Sequence, residues 1–205
     1  MTRLLVLNGS LRGSSGNTQA LLSLVDAAAE PGVEVDRVAL AEYTGTVEEL
    51  VARLVASDAL LFASGVYWSS WGSPLQRFLE VMTGYELTPA FFGKPASVIV
   101  NADSVGAAEV AHRLLGALNH LGCWSPPLAS VVITRVSLQV RGCAGFEDVF
   151  QPEDIRVLLA NLCTAARMPR AEFKPWAVAR TPPLTGPYPS SGPLLAGLER
   201  FAPGG

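Results

Sequence analysis

Short apolar runs alternate along the chain with segments of helical periodicity. The first unbroken apolar run, Leu4 to Leu7, has the length and composition of a buried parallel strand. Similar runs follow at Ala59 to Ala63, Ala96 to Val100 and Val131 to Ile133. Val33 to Asp36 instead alternates apolar and polar residues, which is typical of a half-exposed edge strand. The pattern therefore predicts five strands.

Between these runs, apolar residues recur at helical spacing and predict five helices. Thr46 and Glu49 have the spacing of a capping box, and Pro74 and Pro152 are placed as first-turn prolines. Gly122 is placed to end the fourth helix. The positions expected to face inward are Leu21, Leu24, Val25 and Ala28; Val47, Leu50, Val51 and Leu54; Leu75, Phe78, Leu79 and Met82; Ala111, Leu114, Leu115, Leu118 and Leu121; and Ile155, Leu158, Leu159 and Leu162.

This alternation of strand and helix predicts an α/β fold with a parallel sheet and helices on both of its faces. Five strands suit the doubly wound order 2-1-3-4-5. The second strand is an edge in that order, which agrees with its alternating pattern. Arg135 to Phe150 shows no helix or strand pattern, and we expect a long loop there.

Residues 1–170 are predicted to form one domain, and residues 171–205 a Pro/Gly-rich C-terminal extension. The extension holds seven of the fifteen prolines and five of the nineteen glycines. Regular structure is expected only as a turn of helix near Leu194 to Phe201. Trp176, Tyr188 and Phe201 give the extension side chains to bury. Two interpretations are open, a mobile tail and an arm that packs on a partner subunit or covers a site.

Composition and charge exclude several classes of protein. Hydrophobic residues make up 49% of the 205 residues and charged residues 16%, which excludes disorder for the bulk of the chain. The net charge of −3 gives neither the basic surface that binds nucleic acid nor a strongly acidic docking surface. The apolar run after Arg3 is too short for a signal peptide, and no segment suits a membrane span. We expect a cytoplasmic protein without nucleic-acid or membrane partners.

The cysteines and histidines show no metal-ligand spacing. Cys123, Cys143 and Cys163 are odd in number and far apart, so we expect free thiols rather than disulfides or a metal site. His112 and His120 have no cysteine or carboxylate at ligand spacing around them. We therefore predict no metal.

Three loops leave the carboxyl ends of the first, third and fourth strands, where open α/β sheets bind ligands. The first loop, Gly9 to Thr18, is rich in hydroxyls and glycine, holds Arg12 and no acid, and opens onto a helix. Backbone N–H groups at a helix N-terminus together with an arginine form an anion site. The glycine spacing matches neither a Walker A loop nor G-x-G-x-x-G. A serine-rich turn capped by Asn17 is the alternative interpretation.

The third-strand loop, Ser64 to Ser73, contains the aromatic residues Tyr67, Trp68 and Trp71. Their rings could stack on a planar ligand, cap the core or face a partner subunit. The fourth-strand loop, Asn101 to Gly106, can supply backbone donors and small side chains near a ring edge. Together the loops predict a phosphate pocket beside a planar-ring pocket. That combination indicates a mononucleotide site, and FMN is the usual ligand of this topology.

The first loop resembles that of the flavodoxin-like, NAD(P)H-dependent FMN reductases, whose motif is approximately G-S-x-R-x-x-S-x-N-T. The motif is matched at full spacing, directly after the first strand, by Gly9, Ser10, Arg12, Ser15, Asn17 and Thr18. The family's second motif is roughly P-x-Y, a polar loop and a helix of the type L-K-x-F-x-D. Here Tyr67 and the segment Leu75 to Glu80 take that place, with Gly65 where the family often has proline. The resemblance covers about residues 3 to 134, and residues through 168 at its widest extent.

The resemblance implies a flavodoxin-like fold, an FMN cofactor and a homodimer. The phosphate would be held by Ser10, Arg12, Ser15, Gly16, Asn17 and Thr18. The isoalloxazine ring would rest on Val66, Tyr67, Trp68 and Ser69, and on Asn101, Asp103, Ser104 and Gly106. Hydride would pass from NAD(P)H through FMN to a small acceptor such as a flavin, quinone, azo or nitro compound. The flavin carries this chemistry, so no catalytic side chain is expected.

Other functions are kept as alternatives. A flavodoxin-type electron carrier would need an acidic face for docking to its partner, and a net charge of −3 does not favour one. A non-catalytic FMN-binding or interaction protein is kept open by the Pro-rich extension. The missing glycine fingerprint disfavours a classical dinucleotide dehydrogenase. The choice between NADH and NADPH is open, with Arg77, Arg135 and Arg141 as candidate cations for a 2′-phosphate.

Overall fold

A five-stranded parallel sheet is the centre of the structure, a computed structural model that describes residues 1–145, 149–169, 172–177 and 181–190. The strands are β1 (Thr2–Asn8), β2 (Val33–Ala39), β3 (Ala59–Gly65), β4 (Ala96–Ala102) and β5 (Ser130–Thr134). Their order is β2-β1-β3-β4-β5, and every neighbouring pair is parallel. The predicted order is therefore confirmed, with β2 at an edge.

The strands extend beyond the apolar runs that predicted them. β3 pairs with β4 as far as Ser64 with Val100 and Gly65 with Asn101. Ser64, Gly65, Asn101 and Ala102 thus lie in strands and not in loops. The ladder continues because backbone pairing needs no apolar side chain. Apolar runs consequently underestimate the length of a strand at its ligand-binding end.

Six α-helices and two 3₁₀ turns flank the sheet within the described ranges. They are α1 (Gly16–Ala28), α2 (Val47–Ala56), α3 (Ser73–Val81), α4 (Ala107–Leu121), α5 (Arg135–Gln139) and α6 (Ile155–Arg167), with 3₁₀ turns at Met82–Tyr85 and Pro152–Asp154. The capping box predicted for α2 is present, since Glu49 N donates to Thr46 Oγ1 (3.2 Å) and Thr46 N to Glu49 Oε2 (2.8 Å). None of the described helices is long and apolar enough to cross a membrane.

The helices lie on both faces of the sheet, as predicted. Alternate side chains of β1 point to opposite faces, so Leu5 packs in the core under α2, α3 and α4, and Val6 in the core under α1 and α6. The inward orientation predicted for one residue of α1, Leu24, is wrong. Leu22 is buried, but Leu24 is 37% exposed, because it lies roughly 110° around α1 from the centre of the buried face.

The prediction that Arg135 to Phe150 forms a long loop was wrong at its start, where the structure has α5. A capping box starts this helix: Ser137 N donates to Thr134 Oγ1 (2.9 Å) and Thr134 N to Ser137 Oγ (3.1 Å). A five-residue helix is too short to show a periodic pattern, and serine takes the place that glutamate usually holds in the box.

Residues 181–190 of the extension, called the strap below, pack on the loop between β2 and α2. Tyr188 N donates to Gly45 O (3.0 Å), and Ser190 Oγ donates to Ala41 O (2.6 Å). Tyr188 is only 6% exposed and meets the Tyr43 ring edge-on, with the ring centroids 5.4 Å apart. Tyr188 therefore anchors the strap in the core of its own chain, while most of the other strap residues are exposed. Trp176 is exposed, and Phe201 and the turn predicted near residues 194–201 lie outside the described residues.

The hydroxyl of Tyr188 is buried without a hydrogen-bond partner in the described part of the chain. Tyr188→Ala should lower the free energy of unfolding by about 3 kcal/mol, since it leaves a cavity where the ring packs. Tyr188→Phe should leave stability unchanged or slightly higher, because it removes only an unsatisfied polar group. Urea denaturation of both variants measures the difference. Equal destabilisation of the two would contradict the assignment.

Candidate functional site

A cleft of about 520 Å³ opens at the carboxyl ends of β1, β3 and β4. Its volume lies within the range typical of small-molecule sites. It is lined by Ser10, Arg12, Gly16, Asn17 and Thr18 of the first loop, by Gly65, Val66 and Tyr67, and by Asn101, Ala102, Asp103, Ser104 and Val105. Three loops that are far apart in sequence thus form one cavity. Ten of the fourteen predicted site residues line it.

The first loop is fixed from below by Asn8, the last residue of β1. Its side-chain Nδ2 donates to Gly13 O (2.7 Å), and its Oδ1 accepts from Ser10 N (3.0 Å). Ser10 Oγ in turn accepts from Arg12 N (3.2 Å). The loop therefore holds its shape without a ligand. The sequence analysis did not assign Asn8 to the site. Its position as a polar residue at the end of a buried strand is the feature that could have indicated this role.

The N-terminus of α1 forms the cationic end of the cleft. No side chain caps it, and its first turn holds no acid. Gly16 at φ +84° adopts a left-handed conformation, and a Cβ there would lie 2.8 Å from Arg12 Cδ. The stem of Arg12 therefore crosses the start of the helix. Free N–H groups and a guanidinium in one cavity favour a bound anion.

Thr18 and Asn101 join the two ends of the cleft at its base. Thr18 Oγ1 donates to Asn101 Oδ1 (2.7 Å), although 83 positions separate them in the chain. Thr18 is 2% exposed, so its hydroxyl proton is used inside the protein. Of the groups on Thr18, its backbone N–H is the donor left for a ligand.

The third-strand loop is packed directly against the first loop. Gly72 N donates to Ser64 Oγ (2.9 Å), and a Cβ on Gly72 would lie 2.5 Å from Gly9 O. The Tyr67 ring lies against two glycines, because a Cβ on either Gly65 or Gly72 would come within 3.3 Å of ring atoms. This contact places Tyr67 in the wall of the cleft.

Residues 67–70 form a tight turn at the rim of the cleft. Tyr67 N donates to Ser70 O (2.8 Å), and Ser70 N donates to Tyr67 O (3.0 Å). Trp68 (φ +50°) and Ser69 (φ +59°) both adopt left-handed conformations, as the central residues of a type I′ turn do. Trp68 is fully exposed. Neither this residue nor Ser69 is among the residues that line the cavity.

Four predicted site residues do not line the cleft. Ser15 turns its hydroxyl back to Arg12 O (2.8 Å). Trp68 and Ser69 sit on the turn just described, and Gly106 lies at the start of α4 with φ +86°. Three residues that sequence reasoning omitted do line it, namely Gly65, Ala102 and Val105. Gly65 and Ala102 have little or no side chain and line the cleft mainly with backbone. A backbone contribution cannot be recognised from the type of residue.

The three candidate cations for a 2′-phosphate all form ion pairs with carboxylates. Arg135 Nε lies 3.9 Å from Asp103 Oδ1, and both side chains are exposed, so the pair adds little stability. Arg77 and Arg141 form ion pairs with glutamates. Of the three candidates for binding a 2′-phosphate, Arg135 is the one with an ion pair to a cleft residue among the described residues.

None of the three cysteines is among the residues that line the cleft in the described part of the chain. All three cysteines are free, as predicted, and Cys123 and Cys163 are buried. Burial raises the pKa of the Cys123 thiol to about 12, which makes it unreactive at neutral pH. No three His, Cys, Asp or Glu side chains among the described residues are grouped to hold a metal ion.

Comparisons with known proteins agree with this geometry. Residues 2–137 match the family model described as NADPH-dependent FMN reductase. RosB, solved with bound 8-demethyl-8-formylriboflavin-5′-phosphate, is 21% identical over 82% of this chain and 79% of its own (TM-score 0.62). The apo NADH:FMN oxidoreductase EMOB is 14% identical over 80% of this chain and 90% of its own (TM-score 0.64).

A third solved structure, FerB from Paracoccus denitrificans, described as an NAD(P)H:(acceptor) oxidoreductase, is 21% identical over 81% of this chain and 96% of its own (TM-score 0.55). Likeness at this level of identity shows a shared flavodoxin-like fold. A search of curated protein sequences finds no match.

The packing of Gly72 on Gly9 O predicts a specific steric sensitivity. Gly72→Ala should lower the free energy of unfolding by about 2 kcal/mol, because the added methyl group meets backbone at 2.5 Å. Gly116→Ala is the matched control. Gly116 lies in the interior of α4 with no atom within 4 Å of the added Cβ, so this change should stabilise by about 0.5 to 1 kcal/mol. Thermal unfolding of both variants tests the contact, and equal effects would refute it.

Proposed function

The chain belongs to the NADPH-dependent FMN reductase family, whose model matches more than half of it, and we propose that it binds FMN in the cleft and passes hydride from NAD(P)H to a small organic acceptor. One observation supports the proposal above all. A single cavity joins an uncapped helix N-terminus and Arg12 at one end to aromatic and backbone surfaces at the other. FMN has the same polarity, with a phosphate at one end and a planar ring system at the other.

The residues of the cleft fit the two ends of FMN. The phosphate is a dianion, and the first loop offers it N–H groups and the Arg12 guanidinium without a competing acid in the first turn of α1. Ser10, Gly16, Asn17 and Thr18 complete this end. The ring end is formed by Gly65, Val66, Tyr67, Asn101, Ala102, Asp103, Ser104 and Val105.

The proposed mechanism assigns binding and orientation to the protein. FMN, when bound, supplies the hydride chemistry. Arg12 and α1 hold the phosphate, and the Thr18–Asn101 hydrogen bond keeps α1 in register with β4. Tyr67, wedged against two glycines, gives the ring a fixed surface. Asp103 is 80% exposed and lies beside Arg135, so we assign it no proton transfer.

The finer parts of the proposal concern the acceptor and the assembly. The acceptor is a flavin, quinone, azo or nitro compound, since a hydride passes most readily to small conjugated molecules. The resemblance to the family favours a cytoplasmic homodimer. The exposed apolar residues Val136 and Leu138 of α5, which follows β5 beside the cleft, support a subunit contact there.

The first prediction of the proposal is that the purified protein retains FMN. After addition of FMN and desalting, the visible spectrum should keep the flavin absorption bands, and anaerobic NADPH or NADH should bleach them. A colourless protein that does not quench FMN fluorescence would contradict cofactor binding. Retained flavin that neither nicotinamide reduces would contradict the reductase and favour a carrier or a binding protein.

Arg12 should distinguish FMN from riboflavin, which lacks the phosphate. Arg12→Ala removes a charge-assisted hydrogen bond, so FMN affinity should fall about tenfold or more while riboflavin affinity stays the same. Arg77→Ala is the control, because Arg77 is an exposed arginine on α3 that does not line the cleft. Fluorescence titration with both flavins measures the difference. An equal loss for FMN and riboflavin would place Arg12 away from the phosphate.

A further inference from the structure

We propose that Trp68 determines acceptor specificity by stacking on the planar ring of the electron acceptor, so that the preferred acceptors are flat aromatic molecules such as quinones. This inference rests on the proposed function. The acceptor takes a hydride that originates from NAD(P)H and one proton from water, and a quinone thereby becomes a quinol. Trp68 takes no part in the transfer of charge.

The exposure of Trp68 shows that the indole packs on nothing within the described part of its own chain. Its side chain is fully exposed, at 101%. Trp71, three positions later, packs on the core and donates its Nε1–H to Gln76 Oε1 (2.9 Å). An indole left wholly in water forgoes the free energy of burial that large aromatic side chains normally contribute. Its value must therefore come from something that covers it.

The backbone under Trp68 is unfavourable for this residue type. A type I′ turn favours asparagine and glycine at its two central positions, but here they are Trp68 and Ser69. A bulky side chain at φ +50° is a conformational outlier. Strain of this kind persists at ligand sites, where the surrounding structure enforces it. The turn would form more easily with asparagine or glycine at this position, so the stability of the turn gives no reason for a tryptophan there.

The surrounding contacts hold the turn rigid. Arg113 Nη1 donates to Ser69 O (2.9 Å), and its guanidinium lies over the Trp71 ring, 5.4 Å from the centroid. The reciprocal hydrogen bonds between Tyr67 and Ser70 close the turn from the other side. The indole is thus exposed but carried on a fixed base. A ring on a rigid backbone can stack on a ligand with little loss of conformational entropy.

The turn lies at the ring end of the cleft. Tyr67, the residue before Trp68, lines the cavity. A Cβ on Gly106 would lie 3.7 Å from Val66 Cγ1 and 3.9 Å from Ser69 Cα, so the turn touches the start of α4. Val105 lines the cavity on that side and is 80% exposed. Trp68 and Val105 are therefore two exposed apolar residues on adjoining loops at this end of the cleft, and we infer that a second ring enters between them.

Steady-state kinetics of Trp68→Asn in the FMN-loaded protein test the proposal. Asparagine suits a type I′ turn, so the variant removes the indole without disturbing the backbone. KM for a planar quinone, 1,4-naphthoquinone, should rise about tenfold. KM for ferricyanide, an octahedral acceptor without a flat face, should stay within a factor of two of the wild-type value. Trp68→Phe keeps an aromatic face, so its KM for 1,4-naphthoquinone should stay close to the wild-type value.

A matched control is Trp176→Asn, which removes another exposed indole that does not line the cleft and should change neither KM. An unchanged quinone KM in Trp68→Asn would overturn the proposal, as would an equal rise for both acceptors. Weaker FMN binding by Trp68→Asn would instead make the indole a cofactor contact. A change of molecular mass in solution would make it a subunit contact, and each of these two outcomes also overturns the proposal. If the wild-type protein retained no FMN, the proposed function itself would fail.

Discussion

The parallel arrangement of the strands is the constraint on which the rest of the molecule depends. In such a sheet every strand ends at the same edge, so the loops after β1, β3 and β4 meet although they are spread over a hundred positions of the chain. Hydrogen bonds and steric contact then fix their spacing. Thr18 is bound to Asn101, and Gly72 abuts Gly9 O. The cleft is a consequence of topology first and of residue type second.

The sequence predicted most of what depends on patterns of side chains. Unbroken apolar runs located the strands, and an alternating segment identified the edge strand. The residues of the proposed phosphate end were predictable as cleft residues, because an arginine and hydroxyls at the start of a helix carry their chemistry in their side chains. The residues at the ring end were harder to predict. Gly65 and Ala102 contribute mainly backbone, and Asn8 acts from beneath by holding the first loop.

Very short helices and unusual backbone conformations could not be predicted from the pattern of residues. Helix α5 is one short turn that begins at a capping box, and its few residues show no periodicity. Trp68 was expected to support the flavin ring because it lies among cleft residues in sequence. In the structure its indole is fully exposed and is not among the residues that line the cleft, and a left-handed tryptophan is not anticipated from residue preferences.

The strap is linked to the first loop of the cleft through the loop between β2 and α2. Ser190 is bound to Ala41, the neighbour of Glu42. Glu42 accepts from both Ser14 N (3.1 Å) and Ser14 Oγ (2.7 Å), and so fixes the outer part of the first loop. These donors are therefore engaged by a carboxylate, and an anion is left with Arg12 and the first turn of α1. A carboxylate beside the loop would repel a phosphate that came close, so under the proposed function Glu42 would favour a phosphate position nearer to Arg12. The strap contacts the loop that carries Glu42.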